Sequence, residues 1–131
     1  MARRKSNKIE YVDPGYLYLM SNPAFRYIKL GRCRDWPSKR AKTLSRVCSS
    51  PFNFKVERAW RTDNECAAEY EAKQILQQYW VAREFYDMPV ELAASMIETQ
   101  INNIEPFDED TARHDYFKDI CEVNLGPVDL W

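Results

Sequence analysis

The stretch GYLYLMSNPAFRYIKLG, residues 15–31, limits the fold more than any other segment, because two of the chain's three glycines close it at either end. Between them, residues 16–20 and 26–30 are rich in aromatic and aliphatic side chains that suit a pleated strand. Ser21-Asn22-Pro23 supplies turn chemistry between them. This predicts an antiparallel hairpin with a loop of about five residues. Alternation then sets Tyr16, Tyr18 and Met20 on one face and Leu17 and Leu19 on the other. In the second strand Tyr27 and Lys29 share a face opposite Ile28 and Leu30. Each strand therefore has an aliphatic face for a core, while the other face offers hydroxyls and an amine.

Downstream the period changes. RDWPSKRAKTLSRV, residues 34–47, predicts a helix with Asp35 as N-cap and Pro37 in the first turn, where its missing N–H costs nothing. Ala41, Leu44 and Cys48 fall on its apolar stripe. Residues 52–60 form a third strand candidate. TDNECAAEYEAKQILQQYW, residues 62–80, predicts the strongest helix, capped by Thr62 or Asp63. Its stripe is Ala68, Ala72, Ile75, Leu76 and Tyr79, with Glu65, Glu69 and Lys73 in a row beside it. REFYDM, residues 83–88, reads as a short extended piece, and Pro89 opens a further helix to about Ile101. The order is that of a small α+β domain built on an antiparallel sheet. A basic arm (1–14) precedes the domain (15–104), and an acidic, aromatic tail (105–131) follows it.

Composition narrows the class. At 131 residues, 45% hydrophobic and 14% aromatic, the chain belongs with single globular domains. No apolar run approaches the roughly 20 residues that span a bilayer, and the basic start MARRKSNK leads into no apolar stretch. A cytoplasmic protein, neither secreted nor membrane-bound, is expected. Cys33, Cys48, Cys66 and Cys121 show no CxxC spacing and His114 is the one histidine, which argues for reduced thiols rather than a structural zinc site. The net charge of −1 hides a division. Residues 1–61 hold fifteen Lys/Arg and four Asp/Glu, a net +11; residues 62–131 hold four and sixteen, a net −12. A basic half suits a polyanion, although the two halves would also neutralise each other across a fold.

Four polar positions interrupt or flank the apolar pattern: Tyr18, Lys29, Arg40 and Glu69. Their types suit phosphodiester hydrolysis. A phenol or amine handles a water proton, a guanidinium stabilises charge on phosphoryl oxygens, and one carboxylate suffices for a Mg²⁺ completed by waters and substrate. Read locally, Tyr18 is also an ordinary sheet aromatic, Lys29 a solvated edge lysine, Arg40 one base among several on a wet helix face, and Glu69 the partner of Lys73 one turn on.

The arrangement resembles the GIY-YIG nuclease superfamily, specifically a phage-type subgroup whose second motif is lysine–aliphatic–glycine. Tyr16-Leu17-Tyr18, with Ser21-Asn22 after it, stands at the first motif and Lys29-Leu30-Gly31 at the second. Arg34-Asp35 and Pro37 through Leu44 resemble the subgroup's RD-PxxRAxxL helix. Glu69 stands at its glutamate, and Arg83-Glu84-Phe85-Tyr86 resembles the E-[WF]-F element that follows. The likeness covers residues 15–101 and implies a three-stranded antiparallel sheet flanked by helices. It implies metal-dependent DNA cleavage with Tyr18 at the nucleophilic water, Arg40 at the transition state and Glu69 as ligand of Mg²⁺ or Mn²⁺. Gly31 would permit close backbone approach, and Tyr16 would be a wall of the site. The chain departs from the pattern at Tyr16, which replaces a glycine, at Lys29, which replaces a tyrosine, and at Leu44 and Lys73, which stand where histidines occur. Either Lys29 or Tyr18 is then left as general base.

Arg26, Arg32, Arg34, Lys39, Lys42 and Arg46 would contact DNA phosphates, with Arg3, Arg4, Lys5 and Lys8 extending the footprint. Such contacts position DNA without reading its sequence, so low intrinsic specificity is expected. No small-molecule cofactor and no membrane partner is implied. The tail has three readings: a solvated end, a self-inhibiting mimic that competes with DNA on the basic half, or a protein-binding segment anchored by Phe107, Tyr116, Phe117, Ile120, Val123, Leu125, Leu130 and Trp131. The alternative to an endonuclease is a catalytically weak or inactive DNA-binding module or adaptor on the same scaffold, recruiting a partner through that tail.

Overall fold

The predicted hairpin forms, and it is tighter than its sequence suggested. In the computed structural model, which describes residues 15–47 and 51–115, β1 (Gly15–Asn22) and β2 (Phe25–Cys33) are antiparallel and only Pro23 and Ala24 lie between them. The Asn22 side chain closes the turn by accepting the Ala24 N–H at 2.9 Å, the short Asx device that lets a two-residue connection replace a longer loop. The register sets Tyr18 opposite Gly31 and Met20 opposite Lys29.

Around this hairpin run α1 (Pro37–Val47), β3 (Lys55–Thr62), α2 (Glu65–Ile75), β4 (Trp80–Ala82), β5 (Phe85–Tyr86), α3 (Val90–Gln100) and β6 (Ile104–Pro106). A 3₁₀ turn (Gln77–Tyr79) precedes β4, and residues 109–115 form α4. The three-stranded sheet implied by the resemblance is incorrect. The sheet has six antiparallel strands in the order β4-β5-β2-β1-β3-β6, with four helices among the described residues. A 2-1-3 sheet exposes two rows of unpaired backbone groups, and short segments that look unremarkable in sequence satisfy them. On one side Tyr86 pairs with Ile28 and Phe85 with Lys29; on the other, residues 104–106 pair with Trp60, Arg61 and Thr62.

The sheet is covered on both faces. Leu17, Leu19, Ile28, Leu30 and Trp60 pack against Ala68, Ala72 and Leu76 of α2 and Ala93, Ala94 and Ile97 of α3. Each fully buried leucine contributes about 1.5–3 kcal/mol. The face expected to offer hydroxyls and an amine is also a core, because Ala41 and Leu44 of α1 join Phe54 and Ala59 over Tyr18 and Met20.

Helix ends also differ from the sequence reading. The long helix stops at Ile75, where the chain tightens into the 3₁₀ turn instead of running on to residue 80. Asn64, not Thr62 or Asp63, caps α2 by accepting the Ala67 N–H at 3.1 Å. At α1 the first helical acceptor is the Trp36 carbonyl, so Asp35 lies one residue outside the cap and instead accepts the Trp36 N–H and pairs with Lys39. The orphan N–H of Ser38 goes to Glu109 Oε1 at 3.0 Å, and the Ser38 hydroxyl donates to Oε2 of the same carboxylate. Phe107 packs beneath this contact, 4.7 Å from Tyr16 and 6.3 Å from Trp36 between ring centroids. The first part of the stretch read as an acidic tail, residues 105–115, is thus built onto the sheet and α1. The arm (1–14), Cys48 and residues 116–131, including most of the apolar anchors named for the tail, lie outside the described residues.

Candidate nucleic-acid cleavage site

The site is built where β2 outruns its neighbour. β5 pairs with Ile28 and Lys29, and the Glu84 carbonyl accepts the Leu30 N–H at 3.0 Å. Beyond Leu30 the outer edge of β2 has no strand partner among the described residues. Tyr18, reaching across from β1, lays its ring on Gly31 at this bare edge. A Cβ at Gly31 would stand 2.4 Å from the Tyr18 hydroxyl and 2.6 Å from Cζ. Gly31 is therefore needed for the phenol, which is a more specific reason than general backbone approach.

Arg40, on the exposed flank of α1, lies close enough to the Tyr18 hydroxyl for its charge to favour the ionised phenol. Burial pushes the Tyr18 phenol up to about 12; the Arg40 charge opposes this and the field of Glu84 adds to it. A phenol with that value keeps its proton at neutral pH and acts as a donor. Lys29, on the same face two residues before Gly31, is buried with its ammonium 5.5 Å above the Phe85 ring and ion-paired to Glu84.

Glu69 lies on the other face of the sheet. It is 5% exposed, and its Oε1 accepts from Arg32 at 2.5 Å rather than pairing along the helix with Lys73. Arg34 pairs with Glu65 at 3.5 Å one turn earlier. The two pairs match because four residues of helix and two of strand both advance about 6 Å. Gly15 makes room for this ladder: a Cβ there would sit 2.2 Å from Glu65 Oε1. The tyrosine face and the glutamate face meet at the bare edge, since Arg32 follows Gly31 directly. Tyr86, raised mainly by burial, also feels both Glu69 and Glu84.

In front of the edge is a cleft of about 380 Å³ between the end of β2 and α1, bordered by Arg32, Arg34, Lys39 and Arg40 with Asp35 as the one acid. Cys33 also borders it, but burial pushes that thiol up to about 12 and its S–H donates to the Asp35 carbonyl, so it is no nucleophile. A second groove of about 550 Å³ lies between α1 and β3 and takes in Lys42 and Arg46. Arg26 is on the rim, paired with Asp87 at 2.7 Å. Exposed pairs of this kind are weak and do not bar these cations from phosphate. Tyr16, buried and packed 4.7 Å from the Phe107 ring between centroids, is a packing residue.

Among the described residues no three His, Cys, Asp or Glu side chains gather as a metal cluster. The donor that fits a cation is Glu69 Oε2, an almost buried carboxylate oxygen to which no described residue donates. The side chain that sequence reasoning missed is Glu84. In the sequence it is one member of a motif, and its ion pair with Lys29 spans 55 residues, which no local periodicity signals. No helix among the described residues is long and apolar enough to cross a membrane. No protein-family model, curated protein or solved structure matches the chain.

Proposed function

We propose that this chain is a GIY-YIG-type endonuclease that hydrolyses DNA phosphodiester bonds with the help of Mg²⁺ or Mn²⁺. The observation that carries the reading is the Tyr18 ring laid on Gly31, with the charge of Arg40 acting on its hydroxyl, beside a cleft with four cations on its rim. In this reading the strand backbone lies along the cleft, its phosphates held by Arg32, Arg34, Lys39 and Arg40, with Lys42 and Arg46 beyond. Arg40 supports the charge that develops on the phosphoryl oxygens. Tyr18, protonated, donates to a phosphate oxygen or orients the attacking water, and Lys29 adds a fixed positive charge behind it. Glu69 would hold the ion through Oε2, with waters and substrate oxygens completing the shell. A bound divalent ion supplies Lewis-acid polarisation of the phosphate. DNA is the partner, sequence preference is low because phosphate contacts position a strand without reading its bases, and the free thiols of Cys33 and Cys66 suit a reducing cytoplasm.

A second reading, a DNA-binding module with little or no turnover, is favoured by one observation: Arg32 already occupies one oxygen of Glu69. Cleavage of supercoiled plasmid with Mg²⁺ or Mn²⁺ separates the two. The nuclease reading expects nicking that Arg40→Ala and Glu69→Gln each reduce at least a hundredfold, with folding retained. Salt-sensitive binding without nicking under either metal would leave only the second reading.

A further inference from the structure

A buried ammonium is costly unless it is paired, so the position of Lys29 depends on whatever pairs with it. Three independent features aim Glu84 at that task. Arg83, immediately before it, adopts a left-handed backbone (φ 52), a conformation rare for a residue with a side chain and usually retained for a reason. The turn is pinned on one side by the Trp80 indole, which donates to the Arg83 carbonyl at 2.8 Å, and on the other by the Leu30 N–H on the Glu84 carbonyl. The Glu84 carboxylate then reaches Lys29 with one oxygen while its side chain stays 42% exposed. No sequence-local partner could do this, since the residues flanking Lys29 on its own face are Tyr27 and Gly31.

We infer that Glu84 is a positioning residue of the cleavage site, fixing the Lys29 ammonium on the Tyr18 face of β2, two residues before Gly31. The inference rests on the nuclease reading and deepens it. Lys29 serves as a held cation rather than as a mobile amine, and the β4–β5 hairpin becomes part of the machinery instead of a lid on a sheet edge. The strained turn at Arg83 is the device that fixes the distance between carboxylate and ammonium.

A double-mutant cycle tests this, because a residue that acts through another loses its effect when the other is gone. Single-turnover plasmid nicking and metal-free DNA affinity are measured for wild type, Glu84→Gln, Lys29→Met and the double variant, with urea midpoints as a check on folding. Glu84→Gln is expected to slow nicking by about ten- to a hundredfold. DNA affinity should change less than threefold, and the double variant should be no slower than Lys29→Met. Glu84→Asp, which keeps the charge on a shorter stem, should recover part of the rate. Wild-type nicking by Glu84→Gln, or multiplicative losses in the double variant, would overturn the inference while leaving the nuclease reading standing. Absence of nicking by the wild-type chain under both metals would overturn both. Should Glu84→Gln fail to fold, the double variant, which removes both members of the buried pair, decides: nicking equal to Lys29→Met supports the role and a further loss refutes it.

Discussion

Replacing Gly31 by alanine puts one methyl group against a tyrosine ring that is almost wholly buried. The added Cβ would lie 2.4 Å from the Tyr18 hydroxyl, 2.6 Å from Cζ and 2.9 Å from Cε1. Tyr18 is 1% exposed and held by Met20, Ala41, Leu44, Phe54 and Ala59, so the ring has nowhere to retreat. Overpacking of this kind costs about 1–3 kcal/mol. Gly31 has no positive φ, so alanine meets no backbone strain and recovers about 0.4–1 kcal/mol by stiffening the unfolded chain. The net loss expected is therefore about 1–2 kcal/mol, read as a lower urea midpoint with an unchanged slope. Tyr18→Leu in the Gly31→Ala background removes the clash, so the two changes should couple by at least about 1 kcal/mol in a double-mutant cycle. A Gly31→Ala variant as stable as wild type, or strictly additive effects, would refute the claim that this glycine exists for the phenol.

Two further outcomes follow from the structure. The folded chain holds the Tyr18 proton to about 12 while the unfolded chain releases it near 10, so its contribution is complete below pH 10 and is lost as pH rises toward 12. The full loss is about 2–3 kcal/mol. Urea midpoints from pH 8 to 11 should fall more steeply for wild type than for Tyr18→Phe, whose remaining slope belongs to Cys33, Tyr16 and Tyr86; parallel curves would count against the burial argument. Glu109→Ala should destabilise by about 1 kcal/mol, as loss of a helix N-cap does, although the residue lies 71 positions from the helix it caps. Ser38→Ala should reproduce part of that loss, and thermal melts of both variants indistinguishable from wild type would show the contact to be idle.

Much of the scaffold was legible because it is local. The β1–β2 hairpin follows from two runs of strand formers around an Asx turn, and the α2 stripe of Ala68, Ala72 and Leu76 follows from helical spacing. The sheet's true width was not legible: β4, β5 and β6 are two or three residues long, too short for a period, and exist because neighbouring strands have edges to satisfy. Sequence alone does not choose the α2 cap, because Thr62, Asp63 and Asn64 are all competent caps and the folded chain uses the third. For the site, interruptions of the apolar pattern singled out Tyr18, Lys29, Arg40 and Glu69, and the resemblance added Gly31 and set Glu84 within a motif. Neither gave Glu84 a role, nor made Arg32 the partner of Glu69 rather than of phosphate alone.

By itself the sequence determined which segments pair or coil and which polar residues interrupt them, because both depend on neighbours a few positions apart. Only the tertiary structure decided that Tyr18 needs Gly31, that Glu69 answers to Arg32 and Lys29 to Glu84, and that a glutamate beyond the last strand caps the first helix. Those contacts join residues 13 to 71 positions apart. Charge and shape at such separations are matched by the packing of a covered sheet, and they leave no periodic trace in the chain.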